Sequence, residues 1–238
     1  MSEATRATTD EPLFGTWARF AMGSVGSKVV MALTGIFLWL FIMGHLAGNL
    51  TVFVGRDTFN HYAATLHANP ALVWAVRLAL LLGFPLHIIA AIRTSQTNGA
   101  ARPTPYAYQN KSPARLAATT MLISGGVVLA FFCYHIAHFT WRVTGPMPTG
   151  PLADGNWDAY SMLVLGFRQP LIAGFYVLAQ VLLAAHLSHG LYSMFQHLGL
   201  AGARWTPWVK NAAQAVGYTL CAAFAAIPLA VLLGIVKP

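Results

Sequence analysis

Charge is what this sequence has least of. Of its 238 residues 8% are charged, with 6 acids against 14 Lys and Arg, where an ordinary soluble domain is about one quarter charged. With 57% of residues hydrophobic, a soluble globule is excluded. Cysteine is also scarce. Cys133 and Cys221 lie in separate apolar runs, which excludes a disulfide framework or a thiolate cluster and leaves packing as their expected role. The first ten residues are polar and carry no apolar signal-peptide core, so no cleaved presequence is expected. The basic residues sit scattered at the ends of apolar runs and form no cluster, which argues against a nucleic-acid partner for the formal charge of +8.

What fills the chain instead is five apolar runs, near 29–54, 71–92, 116–141, 170–195 and 208–236, each at or above the roughly 20 residues a bilayer crossing needs. They are rich in Ala, Leu and Gly and lack the alternating polarity of a barrel strand. The expected fold is an all-α membrane protein of five transmembrane helices, with residues 28–238 as a single membrane domain behind a cytoplasmic N-terminal segment, 1–27. Arg6, Arg19 and Lys28 precede the first span; Arg93, Arg102, Lys111 and Arg115 flank the second connection; Arg204 and Lys210 flank the fourth. The other two connections mix Arg56, Arg142 and Arg168 with Asp57, Asp154 and Asp158. The positive-inside rule then puts the N-terminus in the cytoplasm and the C-terminus outside.

Two connections carry their own pattern. Phe59, Tyr62, Ala63 and Leu66 recur at helical spacing between Asp57 and His67, as in an amphipathic helix at the outer interface. Pro146 to Pro151, followed by Trp157, Tyr160 and Leu163, predicts a loop from its Pro/Gly content and interfacial anchoring from its aromatics. The polar stretch Ser95 to Pro113 is a candidate docking surface for a soluble partner. No internal repeat is apparent beyond a histidine late in each of four spans.

Those histidines carry the functional signal. Lys28 to His45, Pro70 to His87 and Gln169 to His186 are each 17 residues, and Arg115 to His135 is 20, or about 26 and 30 Å of helix. Spans that alternate in direction bring His45 and His135 to one level near the outer face, and His87 and His186 to another near the inner face. A low-spin b haem takes one imidazole from each of two facing helices and needs small neighbours. Gly44, Ala47 and Gly48 surround His45, and Ala184 and Ala185 precede His186. Gly35 and the Gly125/Gly126 pair fall about ten residues before the histidines of their own spans, about 15 Å along the axis, at the level of the other pair; ordinary helix packing is the competing reading of these glycines. A single intramembrane histidine is often only a hydrogen-bonded group between helices; four at matched depths weaken that reading. His138 follows His135 by three residues and His189 follows His186 by three, so spacing leaves either member of each pair open as the ligand. A metal-ion transporter can use such pairs, but no Asp or Glu lies inside a span to complete its site.

The motifs Ser27-Lys28, Met31-Ala32-Leu33-Thr34-Gly35, Gly44-His45-Leu46-Ala47-Gly48-Asn49-Leu50, Trp74 to Arg77, Leu86-His87, Tyr134-His135-Ile136-Ala137-His138-Phe139 and His186-Leu187-Ser188-His189-Gly190-Leu191-Tyr192-Ser193 resemble the five-helix, diheme cytochrome b anchor of succinate:quinone oxidoreductases. The resemblance runs from Ser24 to the end. It implies a four-helix haem-binding bundle with a peripheral fifth helix and two b haems, held by His45 with His135 and by His87 with His186. Matching the family's ligand positions favours His135 over His138 and His186 over His189. It further implies a flavoprotein and an iron-sulfur subunit as partners in succinate dehydrogenase or fumarate reductase, quinone as electron-transfer substrate, membrane lipid around the bundle, and a bacterial inner membrane, with a higher oligomer of the complex open. No dicarboxylate chemistry is expected in this chain itself.

Around that frame, Arg77 near the outer level is a candidate for a haem propionate or quinone headgroup, with snorkelling to the interface as its alternative. Ser27, Lys28 and Arg93 are inner-side candidates for propionates, and Asn49, His61 and His67 for an outer quinone region. The transmembrane glutamate that some family members carry two residues before the fourth-span ligand is Ala184 here, so a proton route through that position is not expected. The rivals are the diheme anchor of a formate dehydrogenase or hydrogenase, and a haem-free transporter with broken helices; Pro85 and Pro228 are isolated kinks.

Overall fold

A computed structural model describes residues 13–101, 113–153 and 155–237. Arg6, Arg102, Lys111, Asp154 and most of the proposed 95–113 docking surface lie outside them. The described chain is helical, with no strand: α1 (Leu13–Met22), α2 (Ser24–Leu50), α3 (Arg56–His67), α4 (Pro70–Ala100), α5 (Pro113–His135), α6 (Ala159–Phe167), α7 (Pro170–His197) and α8 (Thr206–Leu232). Five of these stretches are long and apolar enough to cross a membrane: Ser24–Phe53, Pro70–Ala100, Thr120–Thr140, Pro170–His197 and Thr206–Leu232. The second runs eight residues past the sequence expectation, through the polar Thr94–Ala100 stretch. Helix α1 was not expected. It packs on the start of α2, where a side chain on Gly26 would run into the Phe20 backbone.

The helix starts follow local chemistry. Pro70 and Pro170 open α4 and α7, where a missing N–H costs nothing and the fixed φ favours a first turn. Gly55 turns the chain from α2 into α3 with φ 133°, a conformation open to glycine alone. The α2–α3 corner closes because Gly48 has no side chain: a Cβ there would lie 2.4 Å from the Tyr62 hydroxyl. Gly48 therefore serves the docking of α3, while Gly44 faces open space.

Order repeats along the chain. A long helix, a short one and a second long helix opened by proline occur as α2–α3–α4 and again as α5–α6–α7. The two short helices meet at one end of the bundle, called the capped end below, which holds the ends of α2 and α5 and the starts of α4 and α7. Phe59, Tyr160, Leu163, Val164, Phe167, Tyr176, Ile227 and Val231 make the larger core cluster there. Tyr160, expected from its aromatic ring as an interfacial anchor, is buried at 6% exposure, with Leu163 beside it at 4%. The cause is that α6 folds inward, and the Tyr160 hydroxyl donates to the Lys237 carbonyl at 2.8 Å. Helix α8 packs along α7, its Gly217 passing so close that a Cβ would lie 3.0 Å from Ser188 N. Small residues serve this way where lipid provides no hydrophobic drive between helices. Helix α8 also reaches α2, with the Phe224 ring 6.0 Å from His45, so it borders the histidine region.

Asp158 fastens the cap. Its carboxylate accepts from Asn60 Nδ2 at 2.9 Å, from Ser161 N at 3.0 Å as the N-cap of α6, and from Arg56. Asn60 Oδ1 in turn accepts from Tyr160 N at 2.9 Å. Burial pushes the Asp158 carboxyl up, but the bonds from Asn60, Ser161 and Arg56 together outweigh it and hold the group at about 2. A carboxyl held below its ordinary value stabilises the fold fully above the unfolded value, near pH 4, and loses that contribution as pH falls towards 2. We predict that Asp158→Asn, which keeps an acceptor and removes the charge, flattens this acid limb, worth about 2 kcal/mol, in thermal unfolding of the detergent-solubilised protein. An unchanged limb would assign it to other groups.

Candidate functional site

Helices α2, α4, α5 and α7 bring His45, His87, His135 and His186 to the bundle at two levels. Near the capped end, the His45 and His135 rings meet edge to face, with centroids 5.7 Å apart and planes at 89°. Two imidazoles sharing one iron, each about 2 Å from the metal by analogy with other metal–imidazole bonds, would place their centroids about 6 Å apart. The walls are aromatic: Phe41 stacks on His45 at 5.6 Å, and Phe131 and Phe139 flank His135 at 5.9 and 5.6 Å.

At the far level, His87 Nδ1 is 3.1 Å from the Met31 carbonyl and 3.1 Å from Thr34 Oγ1. A carbonyl only accepts, so Nδ1 carries the hydrogen and Nε2 presents its lone pair. His186 obeys the same rule through a hydroxyl. Ser124 Oγ donates to the Met121 carbonyl and lies 3.1 Å from His186 Nδ1; with its one hydrogen spent, it accepts from Nδ1–H. His186 also lies within electrostatic reach of His87. Metal-binding histidines are oriented in this way, with the distal N–H held by a second group.

Glycines open both far-level sites. Gly35 lies 3.4 Å, measured from a built Cβ, from His87 Cε1, and Gly125 3.5 Å from His186 Cε1. These are the glycines expected ten residues before His45 and His135, and each stands at the level of the other histidine pair. Gly126 meets nothing.

Thr34 and Ser124 were missed in the sequence, and their signal was present: each precedes the histidine of its span by eleven residues. They show that the two halves of the chain repeat a hydroxyl, a glycine and a histidine at fixed spacing. Tyr176 was missed as well. Its hydroxyl lies 3.4 Å from His135 Nδ1, and its position ten residues before His186 gives the same one-level offset, about 15 Å. His45 is the exception among the four, because Asn49 Nδ2 lies 3.3 Å from its Nε2 while making a shorter bond, 2.7 Å, to the His45 carbonyl.

The alternative ligands are placed differently. His138 is fully buried against Tyr176 and has no ring contact with His45. His189 lies further along α7, within electrostatic reach of Lys210.

The polar candidates divide. Ser27 is buried and donates to the Ala21 carbonyl at 3.1 Å, holding the α1–α2 corner. Lys28 is half-buried and near His197, about one turn from the Met31 carbonyl that holds His87. Arg93 reaches the Met22 carbonyl at 3.4 Å. Arg77 is exposed and lies over the Trp74 ring at 5.3 Å, an arrangement suited to an interfacial cation. His61 and His67 are exposed on α3, with His67 Nδ1 donating to the Ala63 carbonyl at 2.8 Å. Cys133 and Cys221 are free thiols, one exposed and one buried.

Among the described residues no cluster of three or more His, Cys, Asp or Glu could hold a bare metal ion. Two imidazoles suit a different guest, since a porphyrin supplies four further ligands to its iron. Fold and site together define the class: a helical bundle with five membrane-length helices, His45 against His135 at one level and His87 and His186 at the other. No protein-family model, curated protein or solved structure matches the chain.

Proposed function

We propose that this chain is the membrane anchor and electron-transfer subunit of a succinate dehydrogenase or fumarate reductase complex, binding two b haems and passing electrons between an iron-sulfur partner and quinone. The observation that carries the reading is the placement of four histidines at two levels, with His45 against His135, and with His87 and His186 each held through Nδ1, which leaves the Nε2 lone pair available to a metal. When bound, each haem supplies a one-electron couple. The chain supplies the axial imidazoles and their orientation, the clearance at Gly35 and Gly125, and an apolar shell of Phe41, Phe131, Phe139 and Phe224 that excludes water from the capped-end pair.

In this reading the capped end faces outside and α1 lies on the cytoplasmic side of a bacterial inner membrane, where the flavoprotein and iron-sulfur subunits dock. Lys28 and Arg93 are the inner-side cations for propionates, and Arg77 the outer-side one. The helices α2, α4 and α5 bury few residues against the rest of the chain, while 33% and 39% of the apolar windows of α7 and α8 are buried. That leaves the first three spans the larger surface for lipid, cofactor or partner subunits.

The test is an optical difference spectrum of the purified complex, reduced first with succinate and then with dithionite, with haem counted per chain. We predict two low-spin b haems, at least one reducible by succinate. Two haems silent to succinate would point to a formate dehydrogenase or hydrogenase partner, and a complex without haem would overturn the reading in favour of a haem-free anchor or transporter.

A further inference from the structure

The most buried histidine of this protein is one that faces no other imidazole. His138 is 0% exposed and sits in a π-helical turn, Ile136–Thr140, that interrupts the end of the third span. Such turns re-aim side chains and recur at functional sites. Its cradle is cut to the ring: a Cβ at Gly145 would lie 2.7 Å from Nε2, and one at Gly166 2.9 Å. Gly145 has φ 78°, so the backbone takes up the left-handed region where it passes this ring. A packing role explains little of this, because Nε2 has no hydrogen-bond partner among the described residues, a burial cost that an apolar side chain would not incur.

What His138 does provide is one bond. Its Nδ1 lies 3.1 Å from the Tyr176 hydroxyl, and that hydroxyl lies 3.4 Å from His135 Nδ1. A tyrosine hydroxyl has a single hydrogen. Given to His138, it leaves an oxygen lone pair to accept from His135 Nδ1–H, and His135 then keeps Nε2 bare. Without an acceptor at position 138 the hydroxyl can turn and donate to His135 Nδ1, which forces the His135 hydrogen onto Nε2.

Resting on the haem reading above, we infer that His138 is a positioning residue for the capped-end site: through the Tyr176 hydroxyl it fixes the tautomer and the electron richness of the His135 imidazole. Thr34 and the Met31 carbonyl do this for His87, and Ser124 for His186. At His135 the holding group is itself held.

The experiment is a redox titration of the purified complex, followed optically for each haem. Tyr176→Phe removes the acceptor while keeping the ring, so His135 donates less to iron and one haem becomes easier to reduce. Its reduction equilibrium shifts by up to about tenfold, about 59 mV for one electron, while the other haem stays put. His138→Leu shifts the same haem in the same direction, and His138→Gln, which restores an acceptor, returns it towards wild type. Because both act on one bond, Tyr176→Phe with His138→Leu goes no further than Tyr176→Phe alone. Two haems whose potentials ignore Tyr176→Phe, or a double variant whose shifts add, overturn the positioning role and leave the functional reading standing. A wild-type complex without haem overturns the functional reading itself. If His138→Leu does not assemble, Tyr176→Phe and His138→Gln still decide.

Discussion

Replacing His45 with alanine is expected to halve the haem content of the complex, removing the haem of the capped end and leaving the other spectrally intact; His87→Ala is expected to do the reverse. Losing a group that merely orients a metal ligand weakens binding by about 10- to 100-fold, and losing the ligand itself should cost at least that. The measurement is haem per chain with the low-temperature optical spectrum of each variant. His135→Ala should then reproduce the His45→Ala spectrum, because the two rings share one site at 5.7 Å. If those two variants remove spectrally different haems, the pairing is wrong. His138→Ala separates the alternatives further, since a residue that acts through Tyr176 leaves the haem bound and moves its potential.

The second large effect is expected from glycines on helices that carry the opposite ligand. Gly125→Leu is predicted to abolish the haem held by His87 and His186 while sparing the one held by His45 and His135, although Gly125 and His135 share a helix. The reason is placement: the nearest atom to a Cβ at 125 is His186 Cε1 at 3.5 Å, so a leucine occupies the room beside that imidazole, about 15 Å from His135 along the axis. Gly35→Leu should act alike through His87. Gly126→Leu is the control, because a Cβ there meets nothing within 4 Å and no imidazole lies beside it. Equal loss of both haems in Gly125→Leu would mean a folding defect and would remove the two-level argument.

The contrast between Gly125 and Gly48 shows how far the sequence reaches. Both are small residues whose sequence position suggests room for a haem, Gly48 beside His45 and Gly125 ten residues before His135. Regular helix rise fixes the level of Gly125, and the rotation of α5 turns it towards the His186 imidazole. Gly48 instead accommodates the Tyr62 ring of α3, a contact set by a turn at Gly55 that no periodicity encodes. Tyr160 is likewise buried core where its ring suggested an interfacial anchor, because Asp158 and Asn60 fasten α6 against α3.

Composition and spacing alone determined that this chain is helical with five membrane-length runs, and that four histidines fall at two depths. Those are properties of single helices, for which 1.5 Å per residue converts position directly into level. Only the tertiary structure decided that His135 rather than His138 meets His45, and that Thr34, Ser124 and Tyr176 hold the imidazoles. Facing and hydrogen bonding depend on how each helix is rotated about its own axis. Here that rotation is set by close contacts such as Gly217 on Ser188, by the π-helical turn at Ile136–Thr140 and by the cap built on Asp158, each of which joins residues far apart in the chain.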